Sequence, residues 1–467
     1  MDKTSNLECS LLSNKSEKNN TVCKILTNSL AATICMVSFN FVEFINITFI
    51  KYTEKEEFNL AVFGLGTMYY NIVYIIFGLG ILGSLDTMGS YCFGKKLYLK
   101  LGLYTIRTRI FIFILGLFSF ILSLLSYRIF RLLNIDEELA SSTYYFILLM
   151  QPKILLLLNH QLNVRYLQVM QIYNMPSILT ISSLFIHFIF SYLFVILLNM
   201  GFYAVCLASF VTMAYNVITS SLYITIANPN PESLMIYHEE VFTSNEFNSY
   251  LILSIYSGFQ LYGDYIGYEV IYYFTIYLDY SGMATAVIIL NFLNLIDCIY
   301  VGSSYTISQY VSYYLGKGDY SKYRAIIKKF FFIYLSICVV ISGSTYAFRF
   351  EIIDLYTKSE KVAEILSRVL IFLAIFINFD VFNYMLQGIL KGCGMQNILS
   401  FWNNLLTVVW MIPVSHIACF YFNMGVYGIF TGCFTYMLIL ACINMVYFVL
   451  LDEKEINKEI FAMIDDI

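Results

Sequence analysis

Seven ionisable side chains stand inside otherwise apolar stretches of this sequence: Glu43, Asp86, Lys153, Asp264, Glu269, Asp297 and Asp380. Charge in a low-dielectric surrounding is costly and by default marks function. A carboxyl group there favours its neutral form, holds a proton at neutral pH, and releases it when water or a cation arrives. Such acids suit the exchange of a proton for a cation. Asp264 and Glu269 are five residues apart, so on a helix they point about 140° away from each other. One can bind while the other orients, or the two face different neighbours. Asp264 also lies between Gly263 and Gly267, a GxxxG spacing that permits close helix approach or local opening of the backbone. Each acid has a blander reading as a hydrogen-bonded or ion-paired structural group, for instance Glu43 with Lys153. His187 and His416 read as hydrogen-bonded helix residues, and Arg368, near a helix end, as a snorkelling side chain.

The elements that must carry these residues follow from composition. Of 467 residues, 59% are hydrophobic and 12% charged, about half the usual charged share of a soluble domain. A bilayer removes the need for a polar surface, and a helix crossing it takes about 20 apolar residues. Such runs follow one another at 27–50, 60–90, 105–127, 139–162, 177–198, 202–226, 249–277, 283–311, 325–347, 362–388, 399–421 and 426–450. The run 60–90 is long for one crossing and implies a tilt or a continuation past the interface. These spans put Glu43, Lys153, Asp264, Asp297 and Asp380 about half-way through their helices. Glu269 falls further out and Asp86 near the inner end of the second helix.

Lys and Arg gather in alternate connections: Lys3 to Lys24, Lys95 to Arg109, Arg165, Lys317 to Lys329, Lys391, and Lys454 with Lys458. By the positive-inside rule those connections and both termini are cytosolic. The expected layout is a tail at 1–26, six helices over 27–226, a polar linker at 227–248, six more over 249–450 and an acidic tail at 451–467. The first 26 residues contain no apolar region, so a cleaved signal peptide is not expected. The net charge of −4 offers no basic field for nucleic acid. The 11 cysteines are scattered, without a CxxC or HExxH motif, which speaks against a disulfide frame or a zinc site. The 41 Phe and 41 Tyr read either as aromatic-lined cavities or, more plainly, as codon bias with interfacial belts.

The two halves resemble each other. Ser90-Tyr91-Cys92-Phe93-Gly94-Lys95 reads against Ser312-Tyr313-Tyr314-Leu315-Gly316-Lys317, and Asn199-Met200-Gly201-Phe202-Tyr203 against Asn423-Met424-Gly425-Val426-Tyr427. Six helices per half is even, so the halves share one orientation about an axis along the membrane normal.

At these motifs the sequence resembles the multidrug and toxin extrusion (MATE) family, in particular its eukaryotic branch. Gly83-Ser84-Leu85-Asp86-Thr87 ending in Phe93-Gly94, Pro152 followed by Arg165-Tyr166-Leu167-Gln168, Asp264-Tyr265-Ile266-Gly267-Tyr268-Glu269, Asn291 through Gly302 with Leu315-Gly316-Lys317-Gly318, and Gln387 through Gln396 carry the likeness in order and spacing. The resemblance implies an all-α integral membrane protein with twelve transmembrane helices in two pseudo-symmetric six-helix bundles around a V-shaped cavity. It implies a secondary antiporter, not an enzyme, that expels organic cations and other xenobiotics in exchange for protons, or less readily sodium, with no cofactor. Asp264, Glu269 and Asp380 then fall at the family's cation and proton acids. Glu43, Asp86, Lys153, Asp297, Tyr265, Tyr268 and Tyr91 are further cavity candidates. The chain departs from the family pattern at Tyr265, Ile266, Asp264, Tyr91, Lys153 and Asp297. Lys153 would suit an anionic or zwitterionic substrate. The alternatives are a flippase for a lipid-linked or amphipathic anion, a membrane enzyme, and a non-transporting scaffold derived from a transporter. A monomer in the plasma membrane or an acidic vacuole or vesicle membrane, with a small organic cation and the bilayer as partners, is the expected setting.

Overall fold

The structure is a computed structural model that describes residues 3–235, 241, 245–275, 277–278, 280–357 and 359–451, without the side chains of 3–22, 56–57, 245–246, 264, 272, 280–281, 283–284, 287 and 355. The expected acidic tail and part of the linker lie outside the described residues.

Twelve long helices follow in order: α1 (Lys3–Ile50), α2 (Glu56–Tyr70 and Ile76–Lys95, joined by a π turn at Asn71–Ile75), α3 (Tyr98–Leu132), α4 (Glu137–Val169), α5 (Asn174–Ser191), α6 (Ala204–Ala227), α7 (Asn245–Thr275), α8 (Tyr280–Gly316), α9 (Tyr320–Ala347), α10 (Glu360–Gly392), α11 (Gln396–Leu406, continued through π turns to Tyr421) and α12 (Val426–Leu450). Eleven of them are long and apolar enough to cross a membrane. The other, α7, is 31 residues long and is diluted by Gln260, Asp264, Glu269 and a run of tyrosines. The long second run is a single helix whose π turn widens it locally, a common site for a bend. Helix α1 begins at Lys3, ahead of the expected tail boundary, and its apolar part is Cys23–Ile50.

The sequence repeat is written into the backbone. Positive φ occurs at Lys96 and Gly318, at Gln171 and Gly394, at Asn199 and Asn423, and at Gly201 and Gly425. These pairs are equivalent turns of the two halves, filled by Gly or by Asn, Lys and Gln where the chain must turn left-handed. A π turn ends α5 at Tyr192–Leu197, and another ends α11 at Ile417–Tyr421. Asp136 caps α4 through the Glu138 and Leu139 amides, and Asp319 caps α9 through the Lys322 amide, as short acidic side chains do at helix starts.

The halves meet chiefly through α2 against α7 and α8, and α1 against α8. Among the described residues, the hydrogen bonds and ring contacts that join them run from the end bearing Lys95 and Lys317 to about mid-helix, where Asn40 Nδ2 reaches Cys298 Sγ at 3.0 Å. Examples are Asn28 Nδ2 to Tyr310 Oη at 2.8 Å, Ser84 Oγ to Ser254 Oγ at 2.8 Å, Gln396 Nε2 to Thr87 Oγ1 at 2.7 Å, and Phe77 edge-on to Phe259. Gln309 Nε2 donates to Asp86 Oδ1 at 2.7 Å. The linker is docked at the same end, where Arg107 Nε donates to the Val241 carbonyl at 3.1 Å.

Small residues allow this approach. A Cβ on Gly94 would stand 2.2 Å from the Tyr313 carbonyl oxygen, and one on Gly316 would stand 2.2 Å from that of Tyr91. Gly94 and Gly316 are repeat mates, as are Tyr91 and Tyr313, so the pseudo-two-fold axis passes between them. Because the obstructing atoms are backbone, Gly316→Ala is expected to pry this end open, at the cost of about 1–3 kcal/mol typical of overpacking. Faster amide hydrogen exchange at 84–95 and 308–318, in a protein that still folds, checks it.

Candidate functional site

The acids are distributed over three places. The first is in the C-terminal half. Asp380, on α10, is buried at 6% exposure. The hydroxyl of Tyr300, on α8, lies between Asp380 and Asp297 and hydrogen-bonds to both. Tyr300 is one turn beyond Asp297, so one helix face presents both. A tyrosine hydroxyl has a single hydrogen to donate. Both contacts are satisfied as hydrogen bonds when one of the two carboxyl groups carries a proton and donates it to the hydroxyl oxygen. The assembly is a carboxyl–hydroxyl–carboxyl chain, an arrangement able to share one carboxyl proton.

Its walls are polar and specific. Tyr334, on α9, donates to the Tyr300 carbonyl at 3.1 Å, and the Tyr384 ring lies 5.0 Å from that of Tyr300. Asn444 Nδ2, on α12, donates to Asn383 Oδ1 at 2.7 Å, and Gln260 Nε2, on α7, donates to Gln387 Oε1 at 3.2 Å. Asp380, Asn383, Tyr384 and Gln387 recur at the spacing of one helix face. Tyr268 is within electrostatic reach of Asp380 and Asp297. Position 264 falls between Gln260 and Tyr268 at four-residue spacing, on the same face of α7, and its side chain lies outside the described residues. Glu269 is half-buried and makes no side-chain hydrogen bond among the described residues; Tyr265 is exposed.

The second place is in the N-terminal half. Lys153 Nζ, on α4, lies 2.5 Å from Glu43 Oε1, on α1. Only 1% of the lysine side chain is exposed, against 27% for the glutamate. Asn46 donates to Glu43 at 3.3 Å, Tyr70 Oη reaches it at 3.4 Å, and the Lys153 ammonium sits 5.3 Å from the Tyr70 ring centroid. Asn46 continues to His187, which bonds Thr212. Pro152 interrupts the hydrogen-bond ladder of α4 just before the lysine. The ion pair foreseen as the structural alternative is formed.

The third place is the interface itself. Asp86 pairs with Arg165 at 3.4 Å and accepts from Gln309. Tyr91 is buried at this junction, with the Lys95 ammonium 5.3 Å from its ring. Asp86 and Tyr91 thus belong to the contact between halves.

Sequence reasoning passed over three groups. Arg165 and Lys391, read as residues of basic connections, are buried at 2% and 9% exposure. Tyr300 drew no notice, although a tyrosine one turn from an intramembrane acid is a usable signal. His187, expected to be a hydrogen-bonded helix residue, bonds on both ring nitrogens.

This arrangement, with helices in two like halves and buried acids in each, is matched by a known family. The MatE family model covers residues 31–193 and 257–417. The chain belongs to the MatE family. MatE proteins are transporters, and this one is an integral membrane protein. It is 24% identical over 384 residues to Protein DETOXIFICATION 9 of Arabidopsis thaliana, covering 82% of this chain and 79% of that protein. Its fold is similar to that of the eukaryotic MATE transporter AtDTX14, with a TM-score of 0.87 at 18% identity over 94% of this chain and 97% of the other. It is also similar to a MOP superfamily transporter from Pyrococcus furiosus described as having a binding pocket of reversed polarity, with a TM-score of 0.81 at 14% identity over 94% of this chain and 96% of the other. These likenesses agree with the expected fold of two pseudo-symmetric bundles.

Proposed function

We propose that this MatE protein is a proton-coupled antiporter that exports small organic cations. The observation that carries the reading is the Asp297–Tyr300–Asp380 chain, in which two acids on neighbouring helices meet at one hydroxyl and are suited to sharing a proton. An arriving organic cation supplies the positive charge that lets both carboxylates ionise, and the proton leaves. Tyr268 and Tyr384 would complete the binding wall, with aromatic faces suited to a cation. The other face of the cycle is geometric. The halves touch from the basic end to about mid-helix, and the positive-inside rule assigns the basic end to the cytosol with both termini. Separation there and closure at the opposite end would give alternating access by rocking of one bundle against the other. The working unit in this reading is a monomer in the plasma membrane or an acidic vesicle or vacuole membrane.

Lys153 invites a second reading, export of an anion or zwitterion, as does the reversed pocket polarity reported for the similar Pyrococcus furiosus protein. Against it, the Lys153 charge is spent on Glu43 and its side chain is buried. The test is efflux of a fluorescent organic cation from proteoliposomes under an imposed pH gradient. Efflux that follows the gradient, and not an equal sodium gradient, supports the proposal. Efflux driven by sodium, or transport of organic anions only, refutes it.

A further inference from the structure

The contact between the halves buries two cations and one acid. Arg165 and Asp86 belong to the N-terminal half and pair with each other at 3.4 Å. Lys391 comes from the C-terminal half. Its ammonium lies 5.3 Å from the Tyr305 ring centroid, while the Arg165 guanidinium carbon stacks 3.5 Å from the same ring. A Cβ on Gly83 would stand 2.4 Å from Lys391 Nζ, so the lysine tip lies directly on α2. The ionised groups acting on Lys391 are Asp86 and Arg165. Among the described residues, the lysine makes no salt bridge within 4.0 Å, and the Arg165 Nε and the hydroxyl of nearby Ser257 are buried without hydrogen-bond partners. Asp86 is shared: Oδ1 accepts from Gln309, and Oδ2 lies 3.4 Å from Arg165 with no hydrogen-bond donor of its own, so one carboxylate faces two cations.

The repeat explains the imbalance. At the offset that pairs Ser90 with Ser312, Asp86 pairs with Ser308, a fully buried serine whose hydroxyl has no hydrogen-bond partner. The N-terminal half keeps Asp86 beside Arg165, and the C-terminal half has a serine at the position of that acid; the cations themselves are not repeat mates, since Lys391 falls on Gln168 at the offset that pairs Gln171 with Gly394. When the halves separate at this end, Asp86 and Arg165 stay together and Lys391 goes to water. When they close, Lys391 and Arg165 share a single carboxylate in a largely buried contact, an excess of one positive charge that is unfavourable.

We infer that Lys391 is an electrostatic strut that holds the halves back from closing at the basic end. This rests on the proposed rocking cycle and says what keeps it from stalling. Glycine-lined contact and a ladder of cross-half hydrogen bonds favour closure, and the excess cation opposes them. Two states of comparable free energy are what an alternating transporter requires. Lys391 is a positioning residue: it touches neither substrate nor proton chain.

The test is amide hydrogen exchange at 84–95 and 308–318 in protein embedded in lipid nanodiscs without substrate, where opening exposes both segments. Lys391→Met keeps the stem and removes the charge. It is expected to slow exchange about fivefold or more, the lower end of what replacing buried charge by a hydrophobic group of similar volume yields. Ser308→Asp places an acid in the lysine's own half, at the repeat mate of Asp86, and is expected to slow exchange as well. Asp86→Asn leaves two cations and no acid, and is expected to speed it. Unchanged or faster exchange in Lys391→Met overturns the inference and makes the lysine a bystander or a tie. If Ser308→Asp does not fold, Lys391→Met and Asp86→Asn decide between them. The readout needs no substrate, so failure here leaves the antiport reading standing, and failure of antiport leaves the strut standing.

Discussion

Asp380→Asn is expected to reduce pH-gradient-driven efflux of an organic cation by at least about 30-fold, the low end of losing a buried charge partner. The substitution is nearly isosteric, and the amide still hydrogen-bonds to Tyr300, so the packing of α8 against α10 should survive. What disappears is the ability to carry the proton in one state and a negative charge in the other. Asp297→Asn removes the second carboxyl of the same chain. Asp297 is only half-buried, so water can take over part of its role, and a smaller loss is expected. Tyr300→Phe separates the two acids without changing either, and should leave cation binding stronger than gradient coupling. Efflux rates from proteoliposomes, normalised to inserted protein, measure all three. Normal gradient-driven efflux in Asp380→Asn would remove this cluster from the transport cycle.

Lys153→Met is expected to be the most destabilising single change in the N-terminal half. It leaves Glu43 with Asn46 and Tyr70 as donors but no counter-charge. Removing one partner of a buried pair costs about 3–5 kcal/mol. The lower figure applies because the glutamate keeps 27% of its side chain exposed. Replacing both partners, Lys153→Met with Glu43→Gln, leaves no orphaned charge and should recover most of the loss. Thermal unfolding of the purified protein in detergent checks this: the single variant should melt well below wild type and the double variant close to it. Equal melting of the single and double variants would mean that the pair is not coupled.

Much of the fold was legible because bilayers make strong demands. Twelve apolar runs, alternating clusters of Lys and Arg and an offset of 222 to 224 residues between halves are all one-dimensional patterns. The paired positive-φ turns at Asn199 and Asn423 lie within the repeat that gave the offset away. The sites were less legible, because they are made by residues distant in sequence. Asp297 and Asp380 were both noticed, but the tyrosine that joins them was not, since its meaning depends on α8 packing against α10. Lys391 and Arg165 sit at helix ends, where a lysine or arginine usually faces water. Only the contact between the halves buries them. The charge balance that gives Lys391 its role needs the third dimension and the repeat together.

The central claim is that cation binding expels a proton from the carboxyl cluster. It is tested most directly by adding a lipophilic organic cation to purified protein in weakly buffered detergent solution and following the pH. Release of protons that saturates with cation concentration and disappears in Asp380→Asn is the expected result. Saturable binding of the cation with no proton released, or with equal release from the variant, would contradict it.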